Sequence, residues 1–296
     1  MEIGLGTAQF GLDYGVSNTR GKVPAGEVGR ILDVAHSRGV RVLDTATAYG
    51  ESEQVLGRHL NDGEFRVVTK CAPLPEDCAD PAGEVAASLN DSLGRLGLSQ
   101  LYGFMLHRSR DLFREDGCGV CAELMAMKER GAVSKIGVSV YDSGEIDAVL
   151  EKFAIDIIQL PLNIFDQRLI ASGCLDRLKE RGVEIHARSV FLQGLALMRP
   201  DKTPAYFSEV RYKLAGYRVR LGELGLSAVQ GALAFVRGVP QVDVVVLGVE
   251  NARQLEANIS DFEIAGKFAD VDWSEFAIDD PRFVNPANWK VQAGTT

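Results

Sequence analysis

The sequence predicts an α/β chain wound as a (β/α)8 TIM barrel, one domain over residues 1–296, with a long loop after the seventh strand and a C-terminal tail. Three observations carry this reading. Eight short runs rich in Val, Ile or Leu recur along the chain, as strands buried on both faces should. Amphipathic helical patterns fill the gaps, several of them closed by a glycine just before the next strand. The first strand opens into Gly4-Leu-Gly-Thr-Ala-Gln9, with Gln9 where a dinucleotide-binding G-x-G-x-x-G needs its third glycine. That argues against a doubly wound sheet, the main alternative.

The strands are expected at 2–6, 41–45, 65–70, 101–107, 134–140, 156–160, 183–189 and 242–248. A helix over 24–38 carries Val28, Ile31, Leu32 and Ala35 at helical spacing, and Gly39 follows it. The helix at 83–96 sets Val85, Leu89, Leu93 and Leu96 on one stripe. Helices at 121–130 and 170–181 are closed by Gly131 and Gly182, and those at 144–153, 227–236 and 251–260 follow the same amphipathic logic. Residues 191–226 exceed a simple crossover, so a flap with its own helix near 208–224 is expected. Residues 270–296 form an irregular tail rich in Asp, Pro, Asn and Trp. Insertions and tails over a catalytic face commonly set specificity.

Composition narrows the function classes. A chain that is 46% hydrophobic and 25% charged is ordinary for a globular protein, and no apolar run approaches the ~20 residues of a membrane helix. The net charge of −9 and the lack of a basic stripe argue against a nucleic-acid partner. Met1-Glu-Ile-Gly-Leu-Gly lacks the basic and apolar regions of a signal peptide, so a cytoplasmic location is expected. Five cysteines, an odd number, fit reduced thiols. Cys118-Gly-Val-Cys121 has redox spacing, yet alone it reads better as two cysteines at the start of a helix. The four histidines show no HxH or HExxH pattern, and no metal site is expected.

The chemistry concentrates at strand ends. The second expected strand delivers Asp44, with Tyr49 in the following loop; the third ends in Lys70 and the fourth in His107. In a parallel barrel that edge carries the active site. A lysine ammonium beside a phenol should lower its pKa from about 10, and an aspartate partner should keep a buried lysine charged. An imidazole at the same rim can hydrogen-bond a substrate oxygen or share proton delivery. Singly, Asp44 could cap a turn, Lys70 could lie on the surface, His107 could be a satisfied strand-end residue and Tyr49 could pack in a loop. Together they suit protonation of a carbonyl oxygen while a hydride reaches carbon, or the reverse.

These residues resemble the aldo-keto reductase signature: Gly39-Val-Arg-Val-Leu-Asp-Thr-Ala-Thr-Ala-Tyr-Gly-Glu, then Val67-Val-Thr-Lys, then His107. The resemblance covers nearly the whole chain, through Ile136-Gly-Val-Ser, Gln159-Leu-Pro-Leu-Asn, Gln193-Gly-Leu and Gly248-Val-Glu-Asn-Ala-Arg-Gln-Leu-Glu-Ala-Asn. It implies a (β/α)8 barrel with an extended nicotinamide cofactor across the strand ends. It makes Tyr49 the general acid, tuned by Lys70 and Asp44, with His107 orienting the carbonyl. It assigns Ser139 and Gln159 to the carboxamide, and Gly194 and Leu195 to the pyrophosphate loop. Gly6, Thr7, Asp44 and Ser189 join the cofactor side. Val140 stands where many members have asparagine. Arg188 stands where they have a ring-stacking aromatic, and could stack, reach a phosphate or close a salt bridge at the rim.

Many NADP-dependent relatives carry Lys-Ser and a later Arg where this chain has Gly248, Val249 and Gln254. Glu250 falls near the 2′-phosphate position, where like charges repel; Gln254 and Asn258 keep the adenosine pattern. The resemblance therefore implies NAD(H), with NADP(H) as second choice. Phe10, Tyr14, Cys71 and Trp289 are the substrate-side candidates, Trp289 either walling the pocket or anchoring the tail. Ala187-Arg-Ser-Val-Phe-Leu-Gln-Gly-Leu and Pro281-Arg-Phe-Val-Asn-Pro resemble a bacterial branch with members suspected in sugar or glycan pathways. The reading is an oxidoreductase acting on a small carbonyl or alcohol, such as a sugar derivative. Two alternatives stay open: an NADH-binding regulator with a protein partner, as in certain cell-division regulators, and a non-redox barrel enzyme using Lys70 as a Schiff-base former.

Overall fold

A computed structural model describes residues 1–15, 18 and 21–289. Eight parallel strands close into a barrel in chain order: β1 (Glu2–Gly6), β2 (Val42–Asp44), β3 (Arg66–Cys71), β4 (Leu101–Leu106), β5 (Val133–Ser139), β6 (Ile157–Pro161), β7 (Glu184–Arg188) and β8 (Val244–Gly248). β1 pairs with β2 through Gly6↔Asp44 and with β8 through Gly6↔Gly248, which seals the ring. The (β/α)8 expectation holds.

Side chains alternate in and out along each strand. Val42, Val68, Met105, Ile157, Val244 and Val246 fill the barrel interior as a cluster separate from the core between strands and helices. Glycines make room for them. A Cβ on Gly4 would lie 2.8 Å from Val244 Cγ1, and one on Gly137 only 1.7 Å from the Ile157 carbonyl oxygen. Two residues further along the same inward rows come Gly6, Asp44, Lys70, His107, Ser139, Gln159 and Gly248. The top layer of the barrel is therefore polar because the strand period places it there.

Helices cover the outside, most of them where the patterns predict: Ala25–Ser37, Pro81–Leu96, Gly117–Glu129, Ser143–Lys152, Ala228–Arg237 and Ala252–Ala265. Asp80, Asp142, Ser227 and Asn251 cap four of these through side-chain oxygens on backbone N–H groups. The expected helix at 170–181 is instead two, Arg168–Ala171 and Cys174–Glu180, because Gly173 turns left-handed at φ 68°. The segment after β7 makes three 3-10 turns before the helix Arg211–Leu224. Two short helices, Ala8–Gly11 and Ser52–Gly57, lie in the loops after β1 and β2, where no pattern announced them. Residues 290–296 of the expected tail lie outside the described residues.

Cys118 and Cys121 sit in the first turn and a half of Gly117–Glu129, and all five cysteines carry free thiols. Among the described residues no single helix is long and apolar enough to cross a membrane, and no group of three His, Cys, Asp or Glu could hold a metal ion.

Candidate active site

The strand ends surround a cavity of about 400 Å3, within the range of small-molecule sites. Asp44, Tyr49, His107, Ser139, Gln159 and Arg188 all line it. Lys70 does not; it is fully buried just behind them.

Lys70 Nζ donates to Asp44 Oδ1 at 2.7 Å and to the Thr45 carbonyl at 3.0 Å. The same Asp44 oxygen accepts from Gln159 Nε2 at 2.7 Å. The ammonium lies 5.2 Å from the centroid of the Tyr49 ring, and that ring meets the His107 imidazole edge-on at 5.9 Å between centroids. Strands β2, β3 and β6 thus hold the ion pair, while the loop after β2 brings the phenol over it.

Electrostatics refine one expectation. Burial drives the Tyr49 hydroxyl well above the usual phenol range, and the Asp44 carboxylate pushes the same way. The expected lowering by Lys70 does not prevail, because the ammonium spends its hydrogen bonds on Asp44 and Thr45. Burial also pulls Lys70 below its ordinary value, with Asp44 opposing. His107 is pulled down to about 4 by burial, with Lys70 and Arg188 adding to the effect, so its ring is neutral at pH 7. Its Nδ1 is buried without a hydrogen-bond partner.

The Tyr49 loop is held by a hydroxyl cluster that the sequence did not signal. Ser52 Oγ, fully buried, donates to the Thr7 carbonyl at 2.9 Å and lies 2.8 Å from Thr7 Oγ1 and 3.1 Å from Thr45 Oγ1. Thr7 Oγ1 in turn lies 2.9 Å from the Asp44 carbonyl. Ser52 therefore ties the exits of β1 and β2 together beneath Tyr49.

Other expected residues divide. Gly6, Thr7, Tyr14, Ser189, Gly194, Gly248, Glu250 and Gln254 line the cavity. Phe10, Cys71 and Leu195 pack in the hydrophobic core, so none of them walls the site. Asn258 is buried beneath its helix and leaves Nδ2 unpartnered. Trp289 anchors the tail instead of facing substrate: its ring meets Phe207 at 4.9 Å and its indole N–H donates to the Phe283 carbonyl at 3.1 Å. The tail reaches the cavity through Pro286 and Ala287. Tyr141, absent from the sequence-based set, lines the wall with Arg188 stacked against it. Val140, fully buried, offers its carbonyl to that arginine.

A nicotinamide fits this donor set. Gln159 commits its NH2 to Asp44, which leaves its carbonyl oxygen to accept from a carboxamide, and Ser139 at the next strand end adds a hydroxyl. Backbone strain marks the adjoining rim. Ser189, Leu192 and Gln193 are the non-glycine residues with positive φ among those described, and all belong to one loop. Such conformations persist where surrounding structure enforces them, often at ligand clamps.

Comparison with known proteins agrees with the fold. The model of the aldo/keto reductase family matches residues 2–277. The L-glyceraldehyde 3-phosphate reductase of Escherichia coli K12 is 26% identical over 294 residues, spanning 84% of this chain and 82% of that protein. The solved holo form of aldo-keto reductase AKR11C1 from Bacillus halodurans superimposes with a TM-score of 0.71 at 20% identity, over 90% of each chain. A Pseudomonas aeruginosa protein described as an aldo-keto reductase gives 0.66 at 21% identity, over 89% of this chain and 90% of its own.

Proposed function

Since this chain belongs to the aldo/keto reductase family, we propose that it is a nicotinamide-dependent oxidoreductase acting on a small carbonyl or alcohol, with Tyr49 as the proton donor. The observation that carries the proposal is the convergence of Tyr49, His107 and the buried Lys70–Asp44 pair on one cavity. When bound, the nicotinamide supplies or accepts the hydride at the substrate carbon. Tyr49, kept protonated by burial, gives its proton to the developing alkoxide. Neutral His107 turns an N–H toward the same oxygen and holds its lone pairs in line. Lys70 sits fully buried behind Asp44, which supports a tuning role over Schiff-base chemistry. A sugar derivative remains the favoured substrate, and the Escherichia coli relative places phosphorylated aldehydes in any panel.

NAD(H) is the preferred cofactor in this proposal. Helix N-termini attract anions, but this one, at Ala252, already carries protein acceptors. The Glu27 carboxylate accepts from the Ala252 N–H at 2.9 Å, Asn251 Oδ1 from the Gln254 N–H at 2.9 Å, and Gln254 Oε1 from the Glu250 N–H at 2.7 Å. Glu250 itself faces the cavity. A 2′-phosphate brought to this end would meet two carboxylates.

The test follows NADH absorbance with aldehydes, ketones and sugars, alongside fluorescence titration of both cofactors. Tyr49→Phe should lower kcat by roughly 10²–10⁴-fold while NADH still binds. An unchanged kcat excludes the mechanism, and comparable Kd values for NADH and NADPH remove the cofactor preference. Tight NADH binding without turnover on the whole panel points to the regulatory alternative.

A further inference from the structure

Arg188 ends β7 with its side chain on the cavity wall, and it is the one lysine or arginine among the described lining residues. It is firmly placed. Its Cζ lies 4.4 Å from the centroid of the Tyr141 ring, one terminal nitrogen donates to the Val140 carbonyl at 3.1 Å, and the other makes a long 3.4 Å contact with Ser189 Oγ. A guanidinium carries five N–H donors in a planar fork, so most of the fork is uncommitted.

Some partly buried arginines lack a carboxylate partner too, Arg218 bonding the Leu197 and Met198 carbonyls and Arg237 lying over the Phe262 ring, but others are paired. Arg95 is tied to Glu53, Arg108 to Asp111 and Arg168 to Asp166, each by ion pairs of 2.6 to 2.8 Å. Arg188 has no carboxylate partner among the described residues. Of the two carboxylates that line the cavity, Asp44 holds Lys70 and Gln159 and Glu250 makes no ion pair with Arg188, while Glu145 behind Tyr141 accepts from the Tyr141 N–H at 2.8 Å. A fixed, uncompensated cation therefore faces the cavity beside Tyr49 and His107. Charge-assisted bonds to carboxylates and phosphates are what such a fork makes best.

We propose that Arg188 determines specificity by receiving an anionic group, a carboxylate or a phosphate ester, on the substrate whose reacting oxygen faces Tyr49 and His107. Calling that ligand a substrate rests on the oxidoreductase reading above. Stacking on Tyr141 fixes the guanidinium plane before binding, so little side-chain freedom is lost on capture.

Calorimetric titration of the NADH-loaded protein tests this with unreactive anions, oxamate and glycerol 3-phosphate, against the neutral oxamide and glycerol. At least one anion should bind tenfold or more tightly than its neutral counterpart; which one distinguishes carboxylate from phosphate. Arg188→Met should weaken that anion by roughly ten- to a hundredfold, the span of a charge-assisted hydrogen bond. That loss should exceed any change in the Kd for NADH by tenfold. Arg188→Lys, which keeps the charge, should retain part of the discrimination. In turnover, the KM for pyruvate or glyceraldehyde 3-phosphate should rise in Arg188→Met far more than for hydroxyacetone or glyceraldehyde.

Equal binding of anions and neutral counterparts by the wild type overturns the proposal. So does a loss in Arg188→Met confined to NADH, which would assign the residue to the cofactor. A wild type that neither binds NADH nor turns over either member of any pair defeats the oxidoreductase reading itself, and this inference with it.

Discussion

A lysine with no exposed surface keeps its proton only beside a carboxylate, and Lys70 has Asp44 at 2.7 Å. Lys70→Met would strand the Asp44 charge with Gln159 as its remaining side-chain donor. The expected cost is about 3–5 kcal/mol in urea unfolding, partly recovered in the double variant with Asp44→Asn. Equal stability of Lys70→Met and wild type would remove the pair from the fold's energetics. His107 makes a pH prediction. Its folded value near 4 lies below the ordinary 6.5, so between those limits the unfolded chain binds the extra proton. Stability must therefore fall as pH drops from 6.5 toward 4. His107→Gln should flatten that slope, leaving Tm roughly 2–5 °C less sensitive across the window.

At the scale of elements, Tyr49 depends on two loops meeting backbone to backbone. A Cβ on Gly11 would stand 1.8 Å from the Tyr49 carbonyl oxygen and 2.6 Å from the Ser52 nitrogen. Gly50, at φ 56°, approaches the Gly11 carbonyl from the other side. Gly11→Ala should force these loops apart, costing about 1–3 kcal/mol of stability. The kcat should fall by tenfold or more, since small misplacements of reacting groups are expensive. Wild-type kinetics in that variant would show that Tyr49 does not need this contact. The helical pattern at 24–38 was legible because a long amphipathic stripe met a glycine stop, whereas the one at 170–181 hid Gly173, which splits it in two. Ala8–Gly11 and Ser52–Gly57 were not legible, because four to six residues hold too little periodicity to register.

The whole barrel is polar at both ends and apolar between. Its lower layer holds Glu184, which accepts from the Tyr102 hydroxyl at 2.8 Å, from His186 Nε2 at 2.7 Å and from Lys135. Arg66 and Glu2 pair beside it at 2.6 Å. These donors hold the Glu184 carboxyl down to about 2 although burial alone would raise it. The depressed value means this plug stabilises the fold above the ordinary carboxyl range and is lost as pH falls from about 4.3 toward 2. Glu184→Gln should cost about 1–3 kcal/mol at pH 7 and make urea midpoints shallower against pH below 4.5. An unchanged acid profile would assign acid unfolding to other groups.

Local pattern along the chain is enough to specify the barrel and the top layer of its lumen. Apolar strand runs announce their length, and a period of two then dictates that Asp44, Lys70, His107, Ser139 and Gln159 share the inward face above Val42, Val68, Met105, Gly137 and Ile157. Which of these residues touch, and which neighbours the loops deliver, depends on the closed fold. The Arg188–Tyr141 stack, the Ser52 cluster and the Glu27 carboxylate on the Ala252 N–H join residues from different βα units, the last pair 225 positions apart. Local pattern cannot encode such meetings, because they exist only once the ring has closed. Phe10 and Trp289 show the same limit: an aromatic near a site looks alike in sequence whether it walls the cavity or packs behind it.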